Sequence, residues 1–104
     1  MQMRGVKMDV NQKKQYEEKA IIFKALAHPT RLWIVEKLQS GECCVCEFVD
    51  NIDADFSTIS KHLSVLKNAG IVVSDKRGKQ VYYNLKVPCI FKFMECAESV
   101  ILGR

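Results

Sequence analysis

The sequence predicts a mainly helical chain with one small β-hairpin. Apolar residues recur at spacings of three and four before residue 70 and after residue 88, which is the helical period. Between them, residues 71–85 contain two runs of β-branched and aromatic residues around Gly78, which can take a turn conformation at no steric cost. A chain of 104 residues is long enough for a single domain, residues 1–104, and small enough that a dimer would add useful burial.

The two ends of the chain are expected to be helical. Residues 1–10 are polar and predicted to be frayed, and a helix is expected from Asn11 onward. Pro29 should end that helix and open the next, residues 30–39, which Gly41 terminates. His28 is expected to be structural. Pro88 should open a final helix over residues 88–102, with an apolar stripe wider than a small core needs.

The centre of the chain contains a short helix, a turn and a basic helix. Residues 43–51 are long enough for two to three helical turns, and residues 52–55 form the turn. In residues 56–68, Phe56, Ile59, Leu63 and Leu66 lie on one helix face. The other face carries hydroxyls, amines and an imidazole, and residues 56–70 contain no acidic residue. Such a face suits a polyanion with readable edges, although a merely solvated face is the alternative.

Charge separates along the chain. Residues 57–86 hold six basic residues and one acidic residue, whereas residues 42–55 hold five acidic residues and no basic one. The net charge of the whole chain is +4. A helix, a short turn, a basic helix and a basic hairpin, together residues 42–85, are the order of a winged helix-turn-helix. Groups expected to contact DNA are Ser57, Thr58, Ser60, Lys61, His62, Lys67, Lys76, Arg77 and Lys79.

Four segments closely resemble the ArsR/SmtB family of metal- or thiol-responsive repressors. They are LAHPTRLWIVEKL (residues 26–38), ECCVCEF (42–48), STISKHLSVLKNAGIV (57–72) and RGKQVYYNL (77–85). The resemblance implies a repressor that binds double-stranded operator DNA as a homodimer. It also implies that the terminal helices, including residues 88–102, form the dimer, and that the operator is an inverted repeat.

Five cysteines are the candidates for effector chemistry: Cys43, Cys44, Cys46, Cys89 and Cys96. No signal-peptide core or membrane-length apolar run is apparent, so we expect a cytoplasmic protein with reduced thiols, which bind metal or sense oxidants. On a regular helix Cys43 and Cys46 would share one side, whereas Cys44 and Cys46 would point about 200° apart. Cys44 and Cys46 can therefore meet one metal only if the helix start is irregular.

The resemblance leaves two effectors open. Arsenic-sensing relatives carry a third cysteine at the position of Val49, so a three-thiolate site for As(III) or Sb(III) would have to recruit Cys43 or a more distant cysteine. Disulfide formation is the alternative. Cys89 and Cys96 would lie about 10.5 Å apart along one helix, too far to bridge each other. They could pair across a dimer or with the first cluster, or simply pack as small apolar residues.

Other classes of function are disfavoured. The last helix contains no His for the zinc site that the family implies there, and the cysteines do not form the two close pairs of a zinc knuckle. A thioredoxin-like oxidoreductase would need a strand before its Cys-x-x-Cys, where this sequence is helix-patterned. We expect no enzyme, no obligatory cofactor and no membrane partner.

Overall fold

The computed structural model describes residues 7–104, which form five helices and a three-stranded antiparallel sheet. The helices are α1 (Val10–Leu26), α2 (Pro29–Leu38), α3 (Val45–Asn51), α4 (Phe56–Asn68) and α5 (Ile90–Leu102). The strands are β1 (Cys43–Cys44), β2 (Val72–Arg77) and β3 (Gln80–Leu85), arranged in the order β1-β3-β2. The predicted mainly helical winged helix-turn-helix is confirmed. The prediction of a frayed segment at residues 1–10 falls largely on residues 1–6, outside the described part.

Side-chain caps set where the first two helices begin. The Asp9 carboxylate accepts from the Gln12 amide at 2.8 Å, and the Gln12 side chain accepts from the Asp9 amide. This reciprocal capping box starts α1 one residue earlier than predicted. His28 caps α2, since its Nδ1 accepts from the Thr30 amide at 3.1 Å, and Pro29 is the first helical residue. His28 therefore has the structural role expected of it.

The core lies between α2, α3, α4 and the sheet. Its largest fully buried side chains are Phe48, Ile34, Ile59, Leu63, Leu66, Val35 and Val72. Three of the four residues predicted for the buried face of α4 belong to this set. Phe56 does not, because it is 62% exposed. Phe56 is the first residue of α4, and helical side chains tilt toward the N-terminus, so its ring projects beyond the core.

The segment 43–51 differs from its prediction. Cys43 and Cys44 are extended and pair with the second hairpin strand, in register with Tyr83 and Tyr82 respectively. The helix α3 therefore has only seven residues. The Cys44 amide donates to the Glu47 carboxylate at 2.7 Å, which closes the first turn of the helix. Pairing with a strand forty residues away outweighs the local helical preference.

The hairpin is found as predicted. Its register runs from Val72 opposite Leu85 to Arg77 opposite Gln80, with a two-residue turn between the strands. Gly78 occupies that turn at φ +62°, a conformation that favours glycine. We call residues 72–85 the wing.

The helices α1 and α5 contribute little to the core of one chain. Of the 17 residues of α1, only Ala25 and Leu26 are buried, and α5 buries only Ile90. The two helices meet through the rings of Phe23 and Phe93, whose centroids lie 5.7 Å apart. Exposed apolar residues on these helices include Tyr16, Ile21, Phe23, Phe93, Val100, Ile101 and Leu102. No helix within residues 7–104 is both long enough and apolar enough to cross a membrane.

Candidate nucleic-acid interface

The helix α4 has a polar face that points away from the core, because its opposite, apolar face is fully buried. Ile59, Leu63 and Leu66 are each 0% exposed, which fixes the rotation of the helix about its axis. The exposed residues of the opposite side are Ser57, Thr58, Lys61, Ser64, Lys67 and Asn68. Four predicted contact residues, Ser57, Thr58, Lys61 and Lys67, are therefore accessible to a ligand on this face.

Asp55 caps the N-terminus of α4. Its Oδ1 accepts from the Thr58 amide at 2.8 Å and from the Ser57 hydroxyl at 3.3 Å. These hydrogen bonds, the Thr58 amide first, hold the pKa of Asp55 below its usual value. From the sequence, Asp55 was predicted only to be part of the turn 52–55. An aspartate just before an apolar-periodic run is, however, a recognisable N-cap signal.

His62 lies on the side of α4 that faces α2. Arg31 Nη1 is 3.3 Å from His62 Nδ1, and Arg31 Nε donates to the Ala25 carbonyl at 2.7 Å. The ring of His28 packs on that of His62, with centroids 4.4 Å apart. Because a guanidinium has no acceptor, Nδ1 must accept and the His62 ring is neutral. Burial, followed by the charges of His28 and Arg31, lowers the pKa of His62.

This half-buried cluster joins one edge of α4 to α2. His62 and the half-buried Ser60 are thus less accessible than the other predicted contact residues of α4. Arg31 was not predicted from the sequence, because it is 31 residues from His62 and carries no local signal of the contact.

The wing carries three cations in two different states. Lys76 and Lys79 are exposed at its tip. Arg77 instead donates through Nη1 and Nη2 to the two carboxylate oxygens of Glu42, at 2.8 and 2.7 Å, and through Nε to Asp75 at 2.9 Å. Its guanidinium also lies 4.5 Å from the centre of the Tyr82 ring. Sequence reasoning found the three cations but not the carboxylates that hold one of them.

The three clustered cysteines divide into a bonded pair and a single thiol. Cys44 and Cys46 form a disulfide, with Cα atoms 5.4 Å apart. The irregular helix start that their approach requires is present, because Cys44 is an extended N-cap residue (φ −88°, ψ 164°) and Cys46 lies in the first turn of α3.

Cys43 stands apart from this pair. The expectation that Cys43 and Cys46 share a helix side is wrong, because Cys43 lies in β1, where successive side chains point to opposite faces. Its buried thiol donates to the Gly41 carbonyl with an Sγ–O distance of 3.8 Å. Burial, followed by the charge of Glu47, raises the pKa of Cys43. Cys43 is therefore poorly prepared to act as a third thiolate.

The two remaining cysteines are remote from this pair in sequence. Cys89 is the N-cap residue of α5 and Cys96 lies within that helix. Both are exposed on the single chain, so packing in its core is excluded for them. Within residues 7–104, no three His, Cys, Asp or Glu side chains are grouped closely enough to hold a metal ion.

The bonded pair lies between the two basic elements. Cys44 pairs with Tyr82 of the wing strand β3, and α3 leads through residues 52–55 into α4. A change in the geometry of Cys44 or Cys46 can therefore reach the wing through β1 and the basic helix through α3.

Comparison with known proteins also identifies a winged helix-turn-helix regulator. The family described as "Bacterial regulatory protein, arsR family" matches residues 28–74. The HTH-type transcriptional regulator MJ1325 of Methanocaldococcus jannaschii is 46% identical over 70 residues, which cover 66% of this chain and 79% of that protein. The cadmium resistance regulatory protein CadC of Listeria innocua is 46% identical over 74 residues, 70% of this chain and 62% of that protein. The arsenical resistance operon repressor of Escherichia coli is 43% identical over 65 residues, 62% of this chain and 56% of that protein.

One similar solved structure is a homodimer. The homodimeric winged helix-turn-helix domain Mb0332 of Mycobacterium bovis superposes with a TM-score of 0.80 at 26% identity, covering 96% of this chain and 94% of that domain. This chain spans less than two thirds of the length of the cadmium and arsenical regulators. By the 46% identity with MJ1325 and the match to the family, the chain belongs to the ArsR family of winged helix-turn-helix DNA-binding transcriptional regulators, which are not enzymes.

Proposed function

We propose that the chain is a homodimeric repressor that binds operator DNA and releases it when Cys44 and Cys46 react. The observation that carries this proposal is the location of the pair. It lies in the segment that both pairs with the wing and leads into α4. A coupling of about 1–3 kcal/mol between the thiol site and the DNA site is enough for such a switch.

In this proposal α4 and the wing contact DNA together. The hydroxyls of Ser57 and Thr58 and the amine of Lys61 read base edges, with Ser60 and His62 behind them. The remaining basic residues, Lys67, Lys76, Arg77 and Lys79, contact phosphates. With three to four phosphates neutralised per subunit, log affinity should fall with log salt at a slope of roughly −5 to −7.

Dimerisation through α1 and α5 completes the proposal. The exposed aromatic and aliphatic side chains of these helices, with Phe23 against Phe93, offer an apolar surface that one chain cannot bury. The homodimeric Mb0332 domain supports the same assembly here. Two copies of α4 related by a two-fold axis would reach successive major grooves, so the operator should be an inverted repeat.

A soft metal or metalloid, such as As(III) or Sb(III), is the first candidate effector. The similarity to a cadmium regulator and an arsenical repressor supports it. In the reduced state, Cys44 and Cys46 would supply two soft thiolate ligands. A third would have to come from Cys89 or Cys96, or from Cys43, whose recruitment would pull β1 away from Tyr83. That displacement would itself disturb the wing.

Disulfide formation is the second candidate, and the bonded sulfurs of Cys44 and Cys46 favour it. Two thiols would lose two protons and two electrons to an oxidant such as diamide, which becomes the hydrazine. No third ligand is needed for this reaction. The position of Val49, where arsenic sensors of the family have a cysteine, is then no obstacle.

The test is release of DNA from the reduced protein. We would select a duplex from a random-sequence pool with reduced protein, and then measure binding after adding arsenite, cadmium or diamide. Cys44→Ser and Cys46→Ser should abolish the response, whereas the control Cys96→Ser should retain it. Release by arsenite or cadmium supports the metalloid effector, and release by diamide alone supports the disulfide. No response to any reagent would overturn the switch, and binding without salt dependence would overturn the DNA contacts.

A further inference from the structure

Arg77 has the most completely engaged cationic side chain of the predicted DNA-contacting surface. Both side-chain ion pairs found among residues 7–104 are made by Arg77, one with Glu42 and one with Asp75. A guanidinium has five N–H donors in a fixed plane, and all three of its nitrogens already donate a hydrogen bond to a carboxylate here. The two-bond contact with Glu42 is the same geometry in which arginine binds a phosphate.

The surroundings of Arg77 turn a cation into a locally negative site. One positive charge faces two carboxylates, so the group carries a net charge of −1. The side chains remain accessible, with Arg77 49% exposed and Glu42 37% exposed. A phosphate could therefore approach Arg77, but the carboxylate of Glu42 already occupies the two nitrogens that would bind the phosphate.

The carboxylate of Glu42 is not required to build the hairpin. The strands β2 and β3 are paired over six residues, and their turn is set by Gly78. Asp75, on the same strand as Arg77, already holds its Nε. Glu42 comes from a different part of the chain, immediately before Cys43 and Cys44 of β1, and it also accepts from the side-chain Nδ2 of Asn84 at 3.3 Å. Its contact thus ties the thiol segment to the wing.

We propose that Glu42 competes with DNA phosphate for Arg77, so that Arg77 contributes to DNA binding only when Glu42 releases it. This inference rests on the proposed function, because it assumes that the wing meets duplex DNA. In the structure Cys44 is bonded to Cys46 and Glu42 holds Arg77, so opening of the cysteine bond, which would let β1 move, would release Arg77 to the phosphate. The wing then has a cation whose availability depends on the cysteine segment.

The decisive variant is Glu42→Gln, which keeps the size of the side chain and removes its charge. We would measure binding to a labelled 30-bp random-sequence duplex by fluorescence anisotropy across a salt series, using the full chain. If Glu42 competes, the variant gains one phosphate contact per subunit, and the log–log salt slope of the dimer steepens by about 2. Affinity at 0.1 M salt should rise by about tenfold or more.

Asp75→Asn is the matched control. It removes the same charge from the same guanidinium but leaves the two-bond contact with Glu42. Its salt slope should stay close to that of the wild type. Adding Arg77→Gln to Glu42→Gln should return the slope to the wild-type value, since the released cation is then gone.

Two results would overturn the inference. One is a Glu42→Gln slope equal to that of the wild type or shallower, which would make Glu42 a scaffold for the wing. The other is an Arg77 Nε–Hε NMR signal that shifts on addition of duplex DNA as far in the labelled wild type as in Glu42→Gln, because Glu42 would then not withhold Arg77 from the phosphate. If the wild type itself binds the duplex without salt dependence, the proposed function fails as well. Salt-dependent wild-type binding with an unchanged variant overturns only the competition.

Discussion

The helix α4 and the wing carry similar numbers of basic residues, but they differ in how free those residues are. Lys61 and Lys67 are exposed on a helix with no acidic residue along its length. On the wing, Lys76 and Lys79 are exposed as well, but Arg77 is held by two carboxylates. A count of positive charge therefore overstates what the wing offers to phosphate. In the proposed complex with DNA, the helix would therefore be a constant contributor to binding and the wing an adjustable one.

Two carboxylates of the acidic segment 42–55 explain the difference. Asp55 precedes α4, and its carboxylate is occupied by the amide of Thr58 and the hydroxyl of Ser57. There it compensates the positive end of the helix dipole. Glu42 has no helix to cap, and its carboxylate binds Arg77 instead. Two carboxylates of the same acidic segment thus have opposite effects. Asp55 leaves the lysines of α4 free, whereas Glu42 occupies Arg77.

The largest effect is expected from removing the support of α4. Leu63→Ala should lower the free energy of unfolding by about 2–5 kcal/mol, because the side chain is 0% exposed and its loss leaves a cavity. Urea unfolding followed by circular dichroism measures this. The exposed neighbour Ser64→Ala is the control and should change stability by less than about 0.5 kcal/mol. A similarly small loss for Leu63→Ala would mean that α4 is not fixed by its buried face.

The next effect is on binding through α4. Lys67→Gln should weaken binding to duplex DNA by about tenfold and reduce the salt slope of the dimer by about 2, because each subunit loses a phosphate contact. Anisotropy titration at several salt concentrations gives both values. Lys14→Gln, which removes an exposed lysine from α1, should leave them unchanged. Equal losses in the two variants would show that only net charge matters.

Two substitutions on the wing sharpen the comparison directly. Lys79→Gln should weaken DNA binding several-fold, whereas Arg77→Gln should have a smaller effect, because Arg77 is already neutralised by Glu42 and Asp75. The same titration measures both at 0.1 M salt. A larger loss for Arg77→Gln than for Lys79→Gln would show that Arg77 contacts DNA despite its ion pairs.

The smallest effect concerns pH. The pKa of His62 is lowered in the folded chain by burial and by the charges of His28 and Arg31, so the unfolded chain binds this proton more readily. The stability that His62 contributes is therefore complete above its unfolded pKa, near 6.5. It falls as the pH drops from there through the lower, folded value. His62→Gln should show a smaller decrease in melting temperature between pH 7.5 and pH 5.5 than the wild type. An identical decrease would contradict the packing of His62 on His28 and Arg31.

Sequence reasoning was sufficient where structure is decided locally. The hairpin follows from two β-branched runs around Gly78, and the buried face of α4 follows from the spacing of Ile59, Leu63 and Leu66. Phe56 shows the limit of that argument, because it has the right spacing but lies in the first turn and stays exposed.

Apart from the local N-cap at Asp55, the missed features depend on contacts between distant parts of the chain. Cys43 and Cys44 form a strand only because Tyr82 and Tyr83 lie beside them. The contact of Glu42 with Arg77 joins residues 35 apart, and no local pattern marks either residue as a partner of the other. Cys44 and Cys46 were predicted as a candidate site, but the helix expected from residue 43 begins only at Val45, because residues 43 and 44 pair with the wing.

The brevity of β1 has a consequence for how the protein can respond to chemistry. A strand pairing of two residues contains few backbone hydrogen bonds, so opening it costs far less free energy than unfolding the domain. In the proposed switch, hydrophobic contacts elsewhere would keep the rest of the molecule intact while this edge detaches and returns. A modest chemical event would thus be amplified and then fully erased, so the same molecule would serve through many rounds of exposure and recovery.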